Sequence, residues 1–244
     1  MSNPTISDPL TDKNLEAFLA AIEIFADVSA SDRLALAKDF RPRSYKKTEL
    51  IFQQGDLDQT VYIVMEGKVR IYKVSLTGNE TSINISSRGA VIGEFAPIDH
   101  EPRSATAKAL EPCLLLSMTG EVFMRHMRAT PGLALGMSRM LVTKLRLTAT
   151  YAETVAQYDA AGRLLHVLLL YADEFGTELE PGKRYALDLN LSQTDLASLI
   201  GARREHINRI LRDWLKRGLI EYQNGEIIFV DLQAAQQERD NRRL

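Results

Sequence analysis

Apolar residues recur at helical spacing through residues 12–40 and break near Val28–Ser29. That pattern predicts two short helices, with Asp27 and Ser31 as candidate caps. From Arg43 the period falls to two. The run TVYIVMEGKVRIYKV alternates and is rich in Val, Ile and Tyr, as half-buried strands are. Gly55, Gly67, Gly78 and Gly89 then recur every eleven or twelve residues, the interval of short strands joined by glycine turns in an antiparallel sandwich or jelly roll.

Helical spacing returns at Thr119–Met127 and again from Pro131. In the second stretch Leu141, Leu145, Thr148, Ala152 and Val155 follow steps of four and three, a heptad seam over two repeats, with Lys144 and Arg146 beside it. The seam suits a homodimer interface; the plainer alternative is a helix packed on its own β domain. Asp159 reads as the cap of a further helix, GRLLHVLLLYADEF, whose nearly continuous apolar character implies burial on several sides. The break at Asp159 is a domain boundary and a hinge candidate.

Beyond a turn at Pro181-Gly182 and the alternating RYALDLNL comes SQTDLASLIGARREHINRILRDWLKRG. Ser192 and Asp195 have capping-box spacing. Ala197 and Gly201, with Leu196, Ile200, Ile207 and Ile210 on an inner face, have the layout of two helices around a tight turn. Leu219–Tyr222 and Glu226–Val230 flank Asn224-Gly225, the preferred pair for a type I′ hairpin loop. Helix-turn-helix followed by hairpin is a winged helix. The expected fold is therefore α+β: an N-terminal β-roll domain over residues 12–130, a dimerisation helix over 131–158, and a C-terminal winged helix-turn-helix over 159–234.

Composition narrows the function. The 244 residues are 45% hydrophobic and 25% charged, with net charge −2, so any nucleic-acid surface must be local. The single cysteine, Cys113, can form neither an intramolecular disulfide nor, alone, an iron–sulfur or zinc site. The opening MSNPTISDPLTDKN lacks the layout of a signal peptide, and the longest apolar stretch, around His166, is far shorter than the ~20 residues of a membrane span. The expectation is a cytoplasmic protein without a membrane partner. His100, His126, His166 and His206 are widely spaced, no nucleophile constellation is visible, and neither a GxxxxGK[ST] nor a GxGxxG loop occurs. An enzyme and a bound metal are not expected.

Charge is concentrated in one place. Between Arg203 and Arg217 stand Arg203, Arg204, Arg209, Arg212, Lys216 and Arg217 against only Glu205 and Asp213. A basic helix following a tight turn is the footprint of a DNA-contacting element. Arginine can bond guanine O6 and N7, and glutamate can accept from cytosine N4. Glu205 and Arg209 share one helical face, adjoined by Arg204 and Asn208. Ser192 and Thr194, at the start of the preceding helix, are candidate phosphate contacts. The alternative is a solvent-exposed helix laced by Glu–Arg pairs.

A second constellation is Gly93-Glu94-Phe95 followed by Pro102-Arg103-Ser104-Ala105-Thr106. Glycine lets backbone N–H groups approach an anion, Arg103 offers a planar fork, Ser104 a hydroxyl donor, and Glu94 an acceptor for sugar hydroxyls. One cation with several neutral donors suits a cyclic phosphodiester better than a triphosphate. The alternative is a Glu94–Arg103 salt bridge inside the β-roll.

RREHINRIL after DLASLIG, and GE followed by PRSA, together resemble the Crp/Fnr superfamily of bacterial transcription regulators over nearly the whole chain. The resemblance implies a homodimer on a palindromic double-stranded operator, with RNA polymerase as a further partner. It assigns Arg204, Glu205 and Arg209 to base reading as in the catabolite activator branch, while Glu205, Asn208 and Arg209 partly match the Fnr branch; a GA-type half-site core follows. It further implies that Glu94 holds the ribose hydroxyl, Arg103 the cyclic phosphate and Ser104 a phosphate oxygen, with Thr148 against the base, the effector being cAMP ahead of cGMP. Two positions depart from the pattern: Ala149 replaces a serine that reaches the partner's nucleotide, and Pro97 replaces a leucine. Fnr-type oxygen sensing lacks its cysteines. A regulator that senses haem through Cys113 or His100, or that acts without ligand, is the rival. The expected mechanism is that nucleotide between β-roll and long helix shifts the seam near Thr148–Val155, and the Asp159 hinge sets the spacing of the reading heads.

Overall fold

The computed structural model describes residues 11–223 and 226–244. Two short helices, α1 (Asp12–Ala20) and α2 (Ala30–Asp39), flank a single 3-10 turn at Glu23–Phe25. The break falls where the apolar pattern placed it, but the caps differ. Thr11 caps α1, and the Ser29 hydroxyl accepts from Asp32 N to cap α2. Asp27 instead pairs with Arg139, and Ser31 only shares a hydroxyl contact with Ser29.

Eight strands follow: β1 (Arg41–Tyr45), β2 (Leu50–Phe52), β3 (Val61–Glu66), β4 (Val69–Val74), β5 (Glu80–Ser86), β6 (Val91–Ile92) and, after the short helix α3 (Phe95–Asp99), β7 (Thr106–Ala109) and β8 (Cys113–Met118). They form two antiparallel four-stranded sheets, ordered β1-β8-β3-β6 and β2-β7-β4-β5. Gly55, Gly67, Gly78 and Gly89 all take positive φ, the conformation that selects glycine at these turns.

The alternation in β3 has a consequence beyond half-burial, since the strand is buried on both faces. Tyr62 and Val64 point into the core between the sheets, among Phe52, Val69 and Leu115. Val61, Ile63 and Met65 point the other way, into a core shared with α1, α2 and the helices that follow. The strand is half-buried against neither side because helices cover the outer sheet.

Helix α4 (Gly120–Ala129) leads to α5 (Pro131–Gln157), a 27-residue helix with proline in its first turn, where the missing N–H costs nothing. Its first half packs Leu133 and Met137 against the 3-10 turn, and its second half runs clear of the outer sheet. The helix ends at Tyr158, whose backbone is extended, and Asp159 caps α6 (Ala160–Phe175) by accepting from Gly162 N at 2.8 Å.

The C-terminal domain continues with β9 (Thr177–Glu180), β10 (Arg184–Leu187), α7 (Gln193–Leu199), α8 (Arg204–Lys216), β11 (Ile220–Gln223), β12 (Glu226–Phe229) and α9 (Leu232–Asp240). Its sheet runs β11-β12-β10-β9. The turn predicted at Asn224-Gly225 lies outside the described residues. The capping box at Ser192 and Asp195 is formed in both directions, and Gly201 takes φ +64° between α7 and α8. Leu196, Ala197, Ile200, Ile207 and Ile210 are buried with Trp214 in one core, as the inner-face pattern required.

Candidate functional sites

On the sensor, the two charged residues singled out from sequence are both buried, Arg103 3% and Glu94 3% exposed, yet they do not pair with each other. Arg103 Nη1 donates to Gly93 O, and Nη2 donates to Thr60 O and to Asp58 Oδ2, each at 2.6 Å. Its guanidinium lies over the Phe52 ring, and Nε is buried without a partner. The loop after β2 makes this possible. Arg103 N donates to Asp56 O and Gly55 N to Arg103 O, which clamps the Asp58 loop against the Arg103 loop. Burial by itself would raise the Asp58 carboxyl, but hydrogen bonds from the Thr60 hydroxyl and the Arg103 guanidinium outweigh it and hold it below its usual value.

Glu94 takes a different cation. Lys144 of α5 places its ammonium 2.6 Å from Glu94 Oε1 and 3.2 Å from Val91 O, with the Phe95 ring 5.6 Å away. The Glu94–Arg103 bridge is thus absent, replaced by two separate pairs, Arg103–Asp58 and Glu94–Lys144. Gly93 sits at φ +78°, and a Cβ there would meet Arg103 Nη1 at 2.6 Å. That close approach is what demands glycine. Ser104 is exposed, as is Phe95. Thr148 is exposed one helical turn beyond Lys144 and donates its hydroxyl to Lys144 O. Pro97 is buried within α3.

Sequence reasoning missed Asp58 altogether and noted Lys144 only for its place beside the seam. The available signal for Asp58 was a polar loop, QGDLDQT, opening at Gly55. Cys113 is buried between the sheets with its thiol bonded to the Lys68 and Glu111 carbonyls, and burial pushes its pKa up. That is a poor setting for a thiolate ligand to haem iron. His100 is exposed in left-handed backbone at the end of α3.

On the long helix, Leu145 is 68% exposed, Thr148, Ala152 and Val155 are exposed, and Leu141 is half-buried. Val142 adjoins this face and is open as well, whereas Leu147, also open, points to the other side of the helix.

On the DNA-binding domain, α8 presents Arg204, Glu205, Arg209 and Arg212 to solvent, with Asn208 half-buried and Arg203 exposed at the N-cap. Among the described residues none of these charged side chains forms a salt bridge, and Glu205 does not pair with Arg209 one turn on. The reading of α8 as a helix laced by Glu–Arg pairs holds only at its end, where Arg217 pairs with Asp213 and Glu238. Arg217 is therefore spent on the fold, while Arg203, Arg204, Arg209, Arg212 and Lys216 form no salt bridge among the described residues. His206 is half-buried in a groove with Arg209 and Trp214 rather than projecting outward. Ser192 and Thr194 are exposed at the start of α7. Among the described residues, no helix is long and apolar enough to cross a membrane.

Comparison with known proteins agrees with this arrangement. The family described as cyclic nucleotide-binding domain matches residues 42–130, and the Crp-like helix-turn-helix domain matches residues 162–237. The chain is 28% identical over 217 residues to a CRP-like cAMP-activated global transcriptional regulator of Mycobacterium tuberculosis, covering 89% of this chain and 96% of that protein. It is 29% identical over 189 residues to the cyclic AMP receptor protein of Thermus thermophilus, covering 77% and 83%. A solved CooA mutant from Carboxydothermus hydrogenoformans shares the fold, with TM-score 0.69 and 24% identity over 84% of this chain and 90% of that one. With a nucleotide-binding-type β-roll, a long helix and a Crp-like reading head in this order, the chain belongs to the Crp/Fnr superfamily of DNA-binding transcription regulators.

Proposed function

We propose that this regulator is a cytoplasmic homodimer gated by a cyclic nucleotide, cAMP ahead of cGMP. The observation that carries the reading is Arg103, a guanidinium buried beside the Gly93 cradle with Nε left unpaired. A buried donor without a partner is costly, and an anion bridging it would relieve that cost. Ser104 adds an exposed hydroxyl next to it, and Glu94 a carboxylate for the sugar hydroxyls. Thr148, from α5, faces the base. Names of relatives point the same way, since the Mycobacterium tuberculosis and Thermus thermophilus proteins are described as cAMP-activated and as a cyclic AMP receptor.

The division follows the chain: sensor over 12–130, dimerisation helix over 131–158, winged helix over 159–234. Two copies meet along Leu141, Leu145, Thr148, Ala152 and Val155, so that their α8 helices enter successive major grooves of a palindrome, ~34 Å apart. Arg204, Glu205, Asn208 and Arg209 read bases, while Ser192, Thr194 and Arg203 hold phosphates. Nucleotide binding displaces the two internal pairs at Arg103 and Glu94, moves α5 through Lys144, and resets the reading heads at Asp159. RNA polymerase is the further partner.

One observation favours a second reading. Asp58 and Lys144 already satisfy most of what Arg103 and Glu94 could offer a ligand, which suits a regulator active without effector. Calorimetric titration of the purified protein with cAMP and then cGMP, with Arg103→Ala as control, separates the two. Saturable binding lost in the variant supports nucleotide gating. No binding at several temperatures, with operator affinity indifferent to either nucleotide, supports the ligand-independent regulator.

A further inference from the structure

Arg70, on β4, is 1% exposed, the most deeply buried charged side chain among the described residues. An arginine so placed is tolerated only when its charge and its donors are matched. Its partners come from two domains. From the sensor, Nε donates to Ser82 Oγ and Nη1 to Glu80 Oε2, both at 2.7 Å. From the reading head, Nη1 pairs with Asp195 Oδ1 at 2.7 Å and Nη2 donates to Ser198 Oγ at 2.8 Å. The Ser82 and Ser198 hydroxyls are themselves 2.7 Å apart, and the Tyr72 ring covers the guanidinium.

Asp195 does two jobs. Its Oδ2 accepts from the Ser192 backbone and hydroxyl, closing the capping box that starts α7. One carboxylate thus fixes the helix end that carries Ser192 and Thr194 both to its own cap and to the sensor. Around this polar joint lie apolar contacts that hold the domains together without fixing an angle. Ile85 and Leu110 of the sensor share a core with Leu196 and Leu199, and the Tyr151 hydroxyl donates to Leu199 O at 3.0 Å. Hydrophobic contact is non-directional, whereas a planar fork matched to a carboxylate and a hydroxyl specifies orientation.

We infer that Arg70 is a positioning residue for DNA reading: by gripping Asp195 and Ser198 it holds the helix-turn-helix at one angle to its own sensor, the angle at which the reading face is open. In the docked head Ser192, Thr194, Arg204, Glu205 and Arg209 are all exposed, so the joint occludes none of them. Arg70 also offsets the Asp195 charge, which would otherwise repel a phosphate approaching the first turn of α7. Nothing in the cluster touches the Arg103 or Glu94 pairs, so the role is separate from ligand binding. It rests on the chain being a DNA-binding regulator and not on nucleotide gating.

The test uses duplexes enriched from a random-sequence library by the full-length wild-type protein. Arg70→Gln removes the charge; binding to those duplexes weakens at least about fivefold, with the salt slope unchanged, because Arg70 contacts no phosphate. In a second protein, Ser82→Cys with Ser198→Cys, a disulfide replaces the hydroxyl contact beside the ionic joint; the oxidised protein binds as tightly as wild type. Combined with Arg70→Gln, the disulfide restores the lost affinity, and reduction removes it again. A purely folding role for Arg70 would not show that redox-dependent rescue. The inference is overturned if Arg70→Gln binds normally, if the disulfide does not form under oxidation, or if the oxidised protein loses DNA binding, which would make the joint an inhibitory clasp. Failure of the wild type to enrich any sequence would overturn DNA reading itself, and this inference with it.

Discussion

The Lys144 ammonium sits 2.6 Å from the Glu94 carboxylate, so the long helix is tied by a charge to the β-roll at the residue singled out for ligand recognition. Glu94 is almost fully enclosed while Lys144 is about one-third exposed, which leaves the carboxylate far more dependent on the pair than the amine. Lys144→Met should therefore destabilise the protein by about 1–3 kcal/mol, the cost of stranding a buried charge discounted for the exposed partner. Adding Glu94→Gln removes the stranded charge and should recover most of that loss. Urea unfolding of the two single variants and the double variant measures the coupling.

Gly93 and Gly89 form a matched pair of probes. Both take positive φ, but only at Gly93 would a Cβ strike Arg103 Nη1 and Thr60 O; at Gly89 it meets nothing closer than Ile22 at 3.6 Å. Each alanine variant should lose about 1–2 kcal/mol from backbone strain. Only Gly93→Ala should also displace Arg103, and so lose the nucleotide binding proposed above, which Gly89→Ala would keep. Thermal unfolding reads the first effect and calorimetric titration the second.

The difference between those glycines marks where sequence reading stops. Turns, capping boxes and strand alternation are local, and they were legible: Gly55 to Gly89, Ser192 with Asp195, and Asp159 at the start of α6 stand where their spacing put them. Arg103, Glu94 and the basic face of α8 could be chosen by residue type. Their partners could not, because Asp58, Lys144 and Glu238 come from elements far off in the chain and obey no period. Arg217 shows the cost. Counted as one more DNA-facing cation, it is instead committed to Glu238 of α9. The two faces of β3 show the same limit, since alternation sets which residues point together but not that both sides are covered.

Glu238 gives a prediction in pH. Hydrogen bonds from Arg217 pull its pKa down from 4.5 to about 2, with Arg242 assisting against the effect of burial. A carboxyl lowered on folding stabilises the fold fully above its unfolded value and loses that contribution as pH falls toward the folded one. Stability of the DNA-binding domain should thus decline between pH 4.5 and about 2 more steeply in wild type than in Glu238→Gln. Trp214, the sole tryptophan and fully buried on α8, reports unfolding of this domain by fluorescence. Equal pH slopes in the two proteins would show that the Arg217–Glu238 pair contributes nothing.

Leu145 projects from α5 with two-thirds of its surface exposed, beside Val142 one turn earlier, which is also open. In the dimer proposed above, the second copy covers this apolar surface along the seam. Leu145→Asp should then shift the protein to monomer at micromolar concentration, because two like charges would face each other in an apolar interface. Light scattering after size exclusion gives the mass directly. A variant that remains dimeric places the interface elsewhere.

Arg209 and Lys216 separate base reading from phosphate attraction on the same helix. Arg209 lies on the exposed face shared with Glu205, near the turn, whereas Lys216 is the last residue of α8. Both are cations without a salt bridge among the described residues, so neither is pre-committed to the fold. If Arg209 bonds a guanine edge, Arg209→Ala should cost about 1–3 kcal/mol on the preferred duplex, relax preference at one base pair, and leave affinity for other sequences nearly unchanged. Lys216→Ala should weaken all sequences alike if Lys216 meets phosphate, lowering the salt slope by about one. Binding isotherms over a salt series, on the preferred duplex and on single-base variants of it, distinguish these outcomes. A uniform loss for Arg209→Ala would move it to the phosphate class and leave Arg204 and Glu205 as the base-reading pair.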